Sequence, residues 1–173
     1  MMMRRLAEQR ADKARGRRYG PDYSVGATYY DARDEAVRRG DRVIGTEHLV
    51  LALLIDPASP AAQALGRDLD AARAALDALD GQALAAIGIQ PGITAGPVAA
   101  PAAGQLRLTP AAKAIFTGSD DAGNARGPGL GTVLSALLDL PRPDPAAELL
   151  AALGVDASAA RERFAELDQQ ARP

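Results

Sequence analysis

At 173 residues, nearly half of them hydrophobic, the chain is long enough to bury one sizeable core or two small, closely packed ones. It has no cysteine, which excludes disulfides, thiolate chemistry and cysteine-ligated zinc or iron–sulfur sites, and its single histidine, His48, argues against a polyhistidine metal site or a histidine-based triad. The net charge of −2 hides an asymmetry: residues 1–18 carry seven Lys/Arg against Glu8 and Asp12, so a basic leader of +5 precedes an acidic body of −7.

Alanine, leucine and arginine dominate, aromatics are only 3% and tryptophan is absent. Unbranched side chains lose little rotamer freedom in a helix, so an all-α fold is expected. The leader contains Arg4, Arg5, Arg10, Lys13, Arg15, Arg17 and Arg18 but no apolar stretch behind them, and so lacks a secretory signal. It reads as a mobile, solvated tail in preference to a nucleic-acid contact, because neither an aromatic platform nor zinc-finger spacing accompanies it. The longest apolar run, Leu49 to Ile55, falls far short of the roughly 20 residues needed to cross a bilayer. These features point to a cytoplasmic protein without membrane contact.

Tyr19-Gly20-Pro21-Asp22 reads as a turn, and Ser24 as the N-cap of a helix that Gly40 stops. Thr46 is expected to cap a second helix, Glu47 to about Ile55, whose near-continuous apolar surface marks it as a central element. Ser59-Pro60 opens a short third helix, with proline where its missing N–H costs nothing, and a fourth is expected from Asp70 to about Leu79. Residues 81–107 are rich in glycine, proline and alanine and read as a linker.

Beyond the linker the same order returns. Thr109-Pro110 opens a helix, Gly123 to Gly131 reads as a turn, and Thr132 to Leu140 as a compact apolar helix. Ser59-Pro60-Ala61-Ala62-Gln63-Ala64-Leu65 is matched by Asp144-Pro145-Ala146-Ala147-Glu148-Leu149-Leu150. Asp70 with Ala72-Arg73 is echoed by Asp156 with Ala160-Arg161. The chain therefore contains an internal repeat, two four-helix units whose short apolar helices would pack together as a pseudo-symmetric bundle.

The string Gly45-Thr46-Glu47-His48-Leu49-Val50-Leu51-Ala52-Leu53-Leu54, preceded by Asp34-Glu35-Ala36 and a turn at Arg39-Gly40-Asp41, resembles the signature of the N-terminal repeat of Clp-type ATPases. Leu108-Thr109-Pro110-Ala111-Ala112-Lys113 stands where that family has an aromatic-Thr-Pro followed by a basic helix. The resemblance implies an eight-helix pseudo-twofold bundle of two four-helix Clp repeats, with a basic N-terminal extension. Its parts are a leader at 1–22, repeat 1 at 23–80, the linker at 81–107 and repeat 2 at 108–170.

The family resemblance further implies a non-enzymatic module that docks adaptors, substrates or cyclic-peptide antibiotics of the Clp system, with the Clp ATPase itself as another candidate partner. ATP hydrolysis belongs to other domains of such proteins, and no G-x-x-x-x-G-K-[ST] phosphate loop occurs in this chain. The expected role is that of a stand-alone docking domain acting as a decoy, sequestering or adaptor-like protein, without cofactor, metal or catalytic residues. A regulatory scaffold touching nucleic acid through the leader is the alternative. The alanine- and arginine-rich composition is compatible with a high-GC bacterium.

The family's ligand surface lies between the starts of the first and fifth helices, which places Tyr23, Tyr29, Tyr30, Leu108, Thr109, Lys113 and Phe116 as candidates. In some members the glutamate of each G-T-E-H string helps to read phosphorylated arginine, and Glu47 matches it in repeat 1. A carboxylate suits a guanidinium through paired, charge-assisted hydrogen bonds. The alternative for Glu47 is a first-turn acid that complements the helix dipole. In repeat 2 the same alignment puts Gly131, Thr132 or Val133 in its place, so no carboxylate is available there. His48 reads as a hydrogen-bonded anchor of the helix start, with no serine, cysteine or carboxylate constellation expected around it. Ser119 with Asp120-Asp121 reads as a solvated acidic turn and not a cation site.

Overall fold

The computed structural model describes residues 25–89, 106–117 and 129–171. The basic leader, Tyr23, Ser24, most of the Gly/Pro/Ala-rich segment, Ser119 to Asp121 and all but the last three residues of the turn expected from Gly123 to Gly131 lie outside the described residues.

Helix α1, Val25–Arg39, turns Thr28, Ala32, Glu35 and Ala36 inward at helical spacing. It ends as expected at Gly40, whose φ of 82° lets Gly40 N–H and Asp41 N–H bond back to the Val37 and Ala36 carbonyls. A short strand β1, Val43–Ile44, leads into α2, Thr46–Leu53, of which every residue but Glu47 is buried. Helix α2 begins one residue earlier than predicted, with Gly45 rather than Thr46 at the N-cap. The difference has a cause, because the Thr46 hydroxyl is engaged elsewhere, donating to Asp144 Oδ1 at 2.6 Å.

Ser59 caps α3, Pro60–Leu65, by accepting from Ala62 N–H at 3.1 Å, and Gly66 closes it at φ 62°. Asp68 then caps α4, Leu69–Ala86, which runs well past the predicted end near Leu79 and straight through Gly81. A mid-helix glycine costs only about 1 kcal/mol against alanine, and the following Gln82-Ala83-Leu84-Ala85-Ala86 is strongly helix-forming. Arg39 fastens the end of α1 to this helix through Asp77, at 2.5 Å, and Asp80.

Strand β2, Arg107–Leu108, pairs in parallel with β1, Ile44 opposite Leu108, and Thr109 N–H continues the ladder by donating to the Ile44 carbonyl at 2.9 Å. Helix α5, Pro110–Thr117, is opened as predicted by Thr109, whose hydroxyl accepts from Ala112 N–H. Helix α6, Leu130–Leu138, starts two residues before the predicted Thr132 because Gly129 serves as its N-cap. Asp144 caps α7, Pro145–Ala152, and the Asp156 carboxylate accepts from Ala159 N–H at the start of α8, Ala157–Ala171.

The expected all-α architecture is therefore present, eight helices with one two-residue parallel ladder among the described residues. The halves interlock through matching contacts: α3 packs on α8 and α6, as α7 packs on α4 and α2, while α1 lies on α2 as α5 lies on α6. The turns after α3 and α7 correspond too, with left-handed Gly66 and Gly154 and buried Ala72 and Ala160 one turn into the next helix. One contiguous apolar cluster results, drawing Leu49, Leu51 and Leu65 from one half and Leu134, Leu137 and Leu149 from the other. Arg67 donates to the Leu153 and Gly154 carbonyls, and Arg163 to that of Ala64, tying each half's turn to its counterpart.

Two consequences are measurable. A Cβ on Gly131 would lie 2.6 Å from Phe164 Cε1, so Gly131→Ala should cost about 1–3 kcal/mol in denaturant unfolding. Adding Phe164→Leu should recover part of that loss. Glu35 is 4% exposed and takes hydrogen bonds from Arg73, the shortest at 2.5 Å, and from Arg38 at 2.9 Å. Burial pushes its carboxyl up, but the bonds from Arg73 and Arg38 outweigh burial and hold it below the ordinary glutamate value. The folded chain therefore favours the ionised form, so this contribution is complete above the ordinary range and is lost as pH falls through the depressed value. Glu35→Gln should lower stability at neutral pH by on the order of 1–3 kcal/mol and flatten the acid limb of a thermal-melt series.

Candidate functional site

Two regions gather the residues singled out in the sequence. At the start of α2, Gly45 has no side chain to cap the helix, and His48 supplies the reciprocal contact, its Nδ1 accepting the Gly45 N–H at 3.0 Å. With Nδ1 an acceptor, Nε2 carries the ring proton and donates to Asp41 Oδ2 at 2.9 Å. Asp41 Oδ2 also accepts from Arg39 Nε at 3.2 Å, so His48 is linked through Asp41 and Arg39 to α4. The histidine thus anchors the helix start as anticipated.

The expected absence of carboxylates around His48 is corrected: Asp41 lies on one ring nitrogen, and Glu47 Oε1 is 3.2 Å from the other. Glu47 does not project outward as a first-turn acid would. Its carboxylate is turned back over Gly45, and its Oε2 is buried without a hydrogen-bond partner. Burial pushes the Glu47 carboxyl above the ordinary range; His48 and the residue's own N–H pull it down, and Asp41 and Asp144 push it further up. Aligning the halves on their caps, Ser59 with Asp144, sets Thr132 opposite Glu47 and Gly131 opposite Thr46.

The second region is the corner where α1 meets α5. Tyr29 is half-buried and stacks edge-to-face on Tyr30, 5.4 Å between centroids, and on Phe116, 6.4 Å away. Tyr30 is 51% exposed, and the Arg33 guanidinium lies 5.1 Å from its ring centre. Lys113 is exposed one turn before Phe116 on α5. Leu108 and Thr109 form the ladder and the cap behind this corner, so both are held by structural contacts. The structure thus brings together Tyr29, Tyr30 and Phe116, with Leu108, Thr109 and Lys113 on the adjoining segment; Glu47 belongs to the other region.

Arg33 was not anticipated, although its place three residues after Tyr30 on one helix was a usable signal. Asp144 had no such signal, lying 98 residues from its partner Thr46. A polar cleft of about 290 Å³ lies between the α3–α4 and α7–α8 turns, but its arginines, Arg67 and Arg163, are engaged with backbone carbonyls. Among the described residues no His/Cys/Asp/Glu group is placed to hold a metal ion, and no helix is long and apolar enough to cross a membrane.

The family model of the Clp repeat (R) N-terminal domain matches residues 24–130, from the residue before α1 to the first residue of α6. No curated protein matches the chain. Domains of this family are non-catalytic modules that bind substrates and adaptors of Clp ATPases. The match spans more than half of the sequence, and the helical bundle is the one that the repeated signature implies; the chain belongs to the Clp repeat N-terminal domain family.

Proposed function

We propose that the chain is a docking module of the Clp system that takes an amphipathic peptide segment, from an adaptor, a substrate or a cyclic-peptide antibiotic, on the corner between α1 and α5. The observation that carries this reading is Tyr30, an aromatic ring half in solvent yet held in place by Tyr29 beneath it and Arg33 over it. A pre-positioned tyrosine loses little freedom on binding, and tyrosine and arginine are enriched among residues that dominate interface energies. Tyr29 and Phe116 supply the apolar floor, Leu108 and Thr109 set the position of α5, and Lys113 adds positive charge for acidic positions of the ligand, the Arg33 guanidinium being paired with Asp34. Tyr23 adjoins the corner in sequence.

The retracted Glu47 and the exchange of its counterpart for Thr132 favour this peptide surface over phosphoarginine as the main ligand. In its finer form the reading is sequestration: the module holds ligands aimed at the Clp ATPase or modulates their delivery.

Calorimetric titration of the full chain with a cyclic-peptide antibiotic that targets Clp ATPases tests the reading. Micromolar or tighter binding is expected. Tyr30→Ala should weaken it about tenfold or more, equivalent to about 1.4 kcal/mol, while Tyr30→Phe should keep most of the affinity. No heat of binding at micromolar concentrations, or full affinity in Tyr30→Ala, would count decisively against this site.

A further inference from the structure

We propose that the start of α2 is a proton-operated latch: Glu47 stays retracted over Gly45 while its carboxyl is neutral, swings out to solvent when it ionises, and depends on the bare Cα of Gly45 for the retracted position.

Space is the first argument. A Cβ built on Gly45 would overlap both carboxylate oxygens of Glu47 and lie 2.6 Å from its Cδ. The carboxyl group thus fills the volume that any other residue at position 45 would need for its own side chain. Gly45 has an ordinary extended backbone, φ −92° and ψ 178°, so conformation alone does not call for glycine there.

Polarity is the second. In the retracted position Oε2 is buried and unpartnered, and Oε1 faces a His48 nitrogen that already accepts the Gly45 N–H. An ionised carboxylate is poorly served at such a place, because a buried charge needs donors and this pocket offers few. A neutral carboxyl avoids the cost of leaving a charge there. Of the titratable groups facing it, Asp41, from the turn after α1, and Asp144, at the cap of α7, are both acidic and deepen the preference, while His48 opposes it without reversing it.

An outward position would serve the ionised form better. Glu47 is the second residue of α2, where solvent and the helix dipole both favour a negative side chain, by about 0.3–1 kcal/mol for the dipole. Proton loss therefore exchanges a sealed helix start for one that displays a carboxylate beside Asp41 and Asp144, able to meet a cationic group. The latch is read without any ligand, so it stands or falls separately from the peptide-docking proposal.

The sign of the effect follows from the neutral form being favoured in the folded chain. This contribution is complete below the ordinary glutamate range and is lost as pH rises toward the elevated folded value. The test is a pH titration of the full chain, following the Glu47 side-chain carboxyl and the Gly45 and His48 amides by NMR, with thermal melts alongside. The wild type should show one transition above the ordinary glutamate range, shared by all three signals and accompanied by falling melting temperature. Glu47→Gln should abolish the transition at both amides and flatten that part of the stability profile. Gly45→Ala should return the Glu47 titration to the ordinary range by blocking the retracted position. Glu47 titrating normally in the wild type, or amide transitions that persist in Glu47→Gln and so belong to His48, would overturn the proposal; the Gln variant decides the matter even if the Ala variant does not fold.

Discussion

Each half of this bundle buries the other's third helix. Helix α3 exposes an almost wholly apolar face, Ala61, Ala62, Ala64 and Leu65, and that face is covered by α8 and α6 of the second half; α7 is covered in turn by α4 and α2. Six residues of α3 are too few to be stable as an isolated helix, so their order derives from tertiary contact. Separating the repeats would expose these alanines and leucines and strip the carbonyls of Leu153, Gly154 and Ala64 of their arginine donors. The duplicated unit is thus not a domain in its own right, and the single apolar cluster is the physical reason.

Within that shared frame the two central helices have diverged at their starts. In the first half the helix begins polar: Thr46 reaches across to Asp144, and His48 bridges Gly45 and Asp41. In the second half Gly131 and Val133 hold the corresponding places, and the Phe164 ring lies against the bare Gly131 Cα. The ring belongs to α8 at the position that Leu76 holds in α4, when the helices are aligned on Asp68 and Asp156. A larger residue on one helix thus accompanies a smaller one on its neighbour, which conserves packed volume. The price is functional symmetry: the polar, carboxylate-bearing helix start exists once.

Much of this was legible in the residues. The helix starts at Ser59-Pro60 and Asp144-Pro145 and the stop at Gly40 act locally, so their chemistry could be read from neighbours in sequence. The apolar run from Leu49 marked α2 as central because no exposed face was possible for it. The errors have a different origin. Helix α4 outruns its expected end because the alanines after Gly81 offset the cost of one glycine, and Thr46 is not the N-cap of α2 although its residue type suits a local cap. Its true partner, Asp144, is distant in sequence and adjacent only after the halves interlock. The inward turn of Glu47 was equally hidden, since composition cannot show which of two rotamers a surface-type residue adopts.

The scarcity of aromatics bears on where ligands are taken. The core is filled by Ala, Val, Leu and Ile, small enough for helices to approach closely without large rings. Of the four aromatic residues among those described, Phe164 packs on Gly131, and the other three, Tyr29, Tyr30 and Phe116, meet at the α1–α5 corner. Packing the interior therefore cannot account for Tyr30, which leaves half of its ring in water under an arginine. The contacts with Tyr29 and Arg33 hold the ring, and the half of its apolar area left in water is stabilised further only when something covers it. The polar start of α2 differs in kind, since its groups are largely satisfied internally and Glu47 is folded away. The bundle thus separates a partly exposed aromatic corner from a closed, acidic helix start.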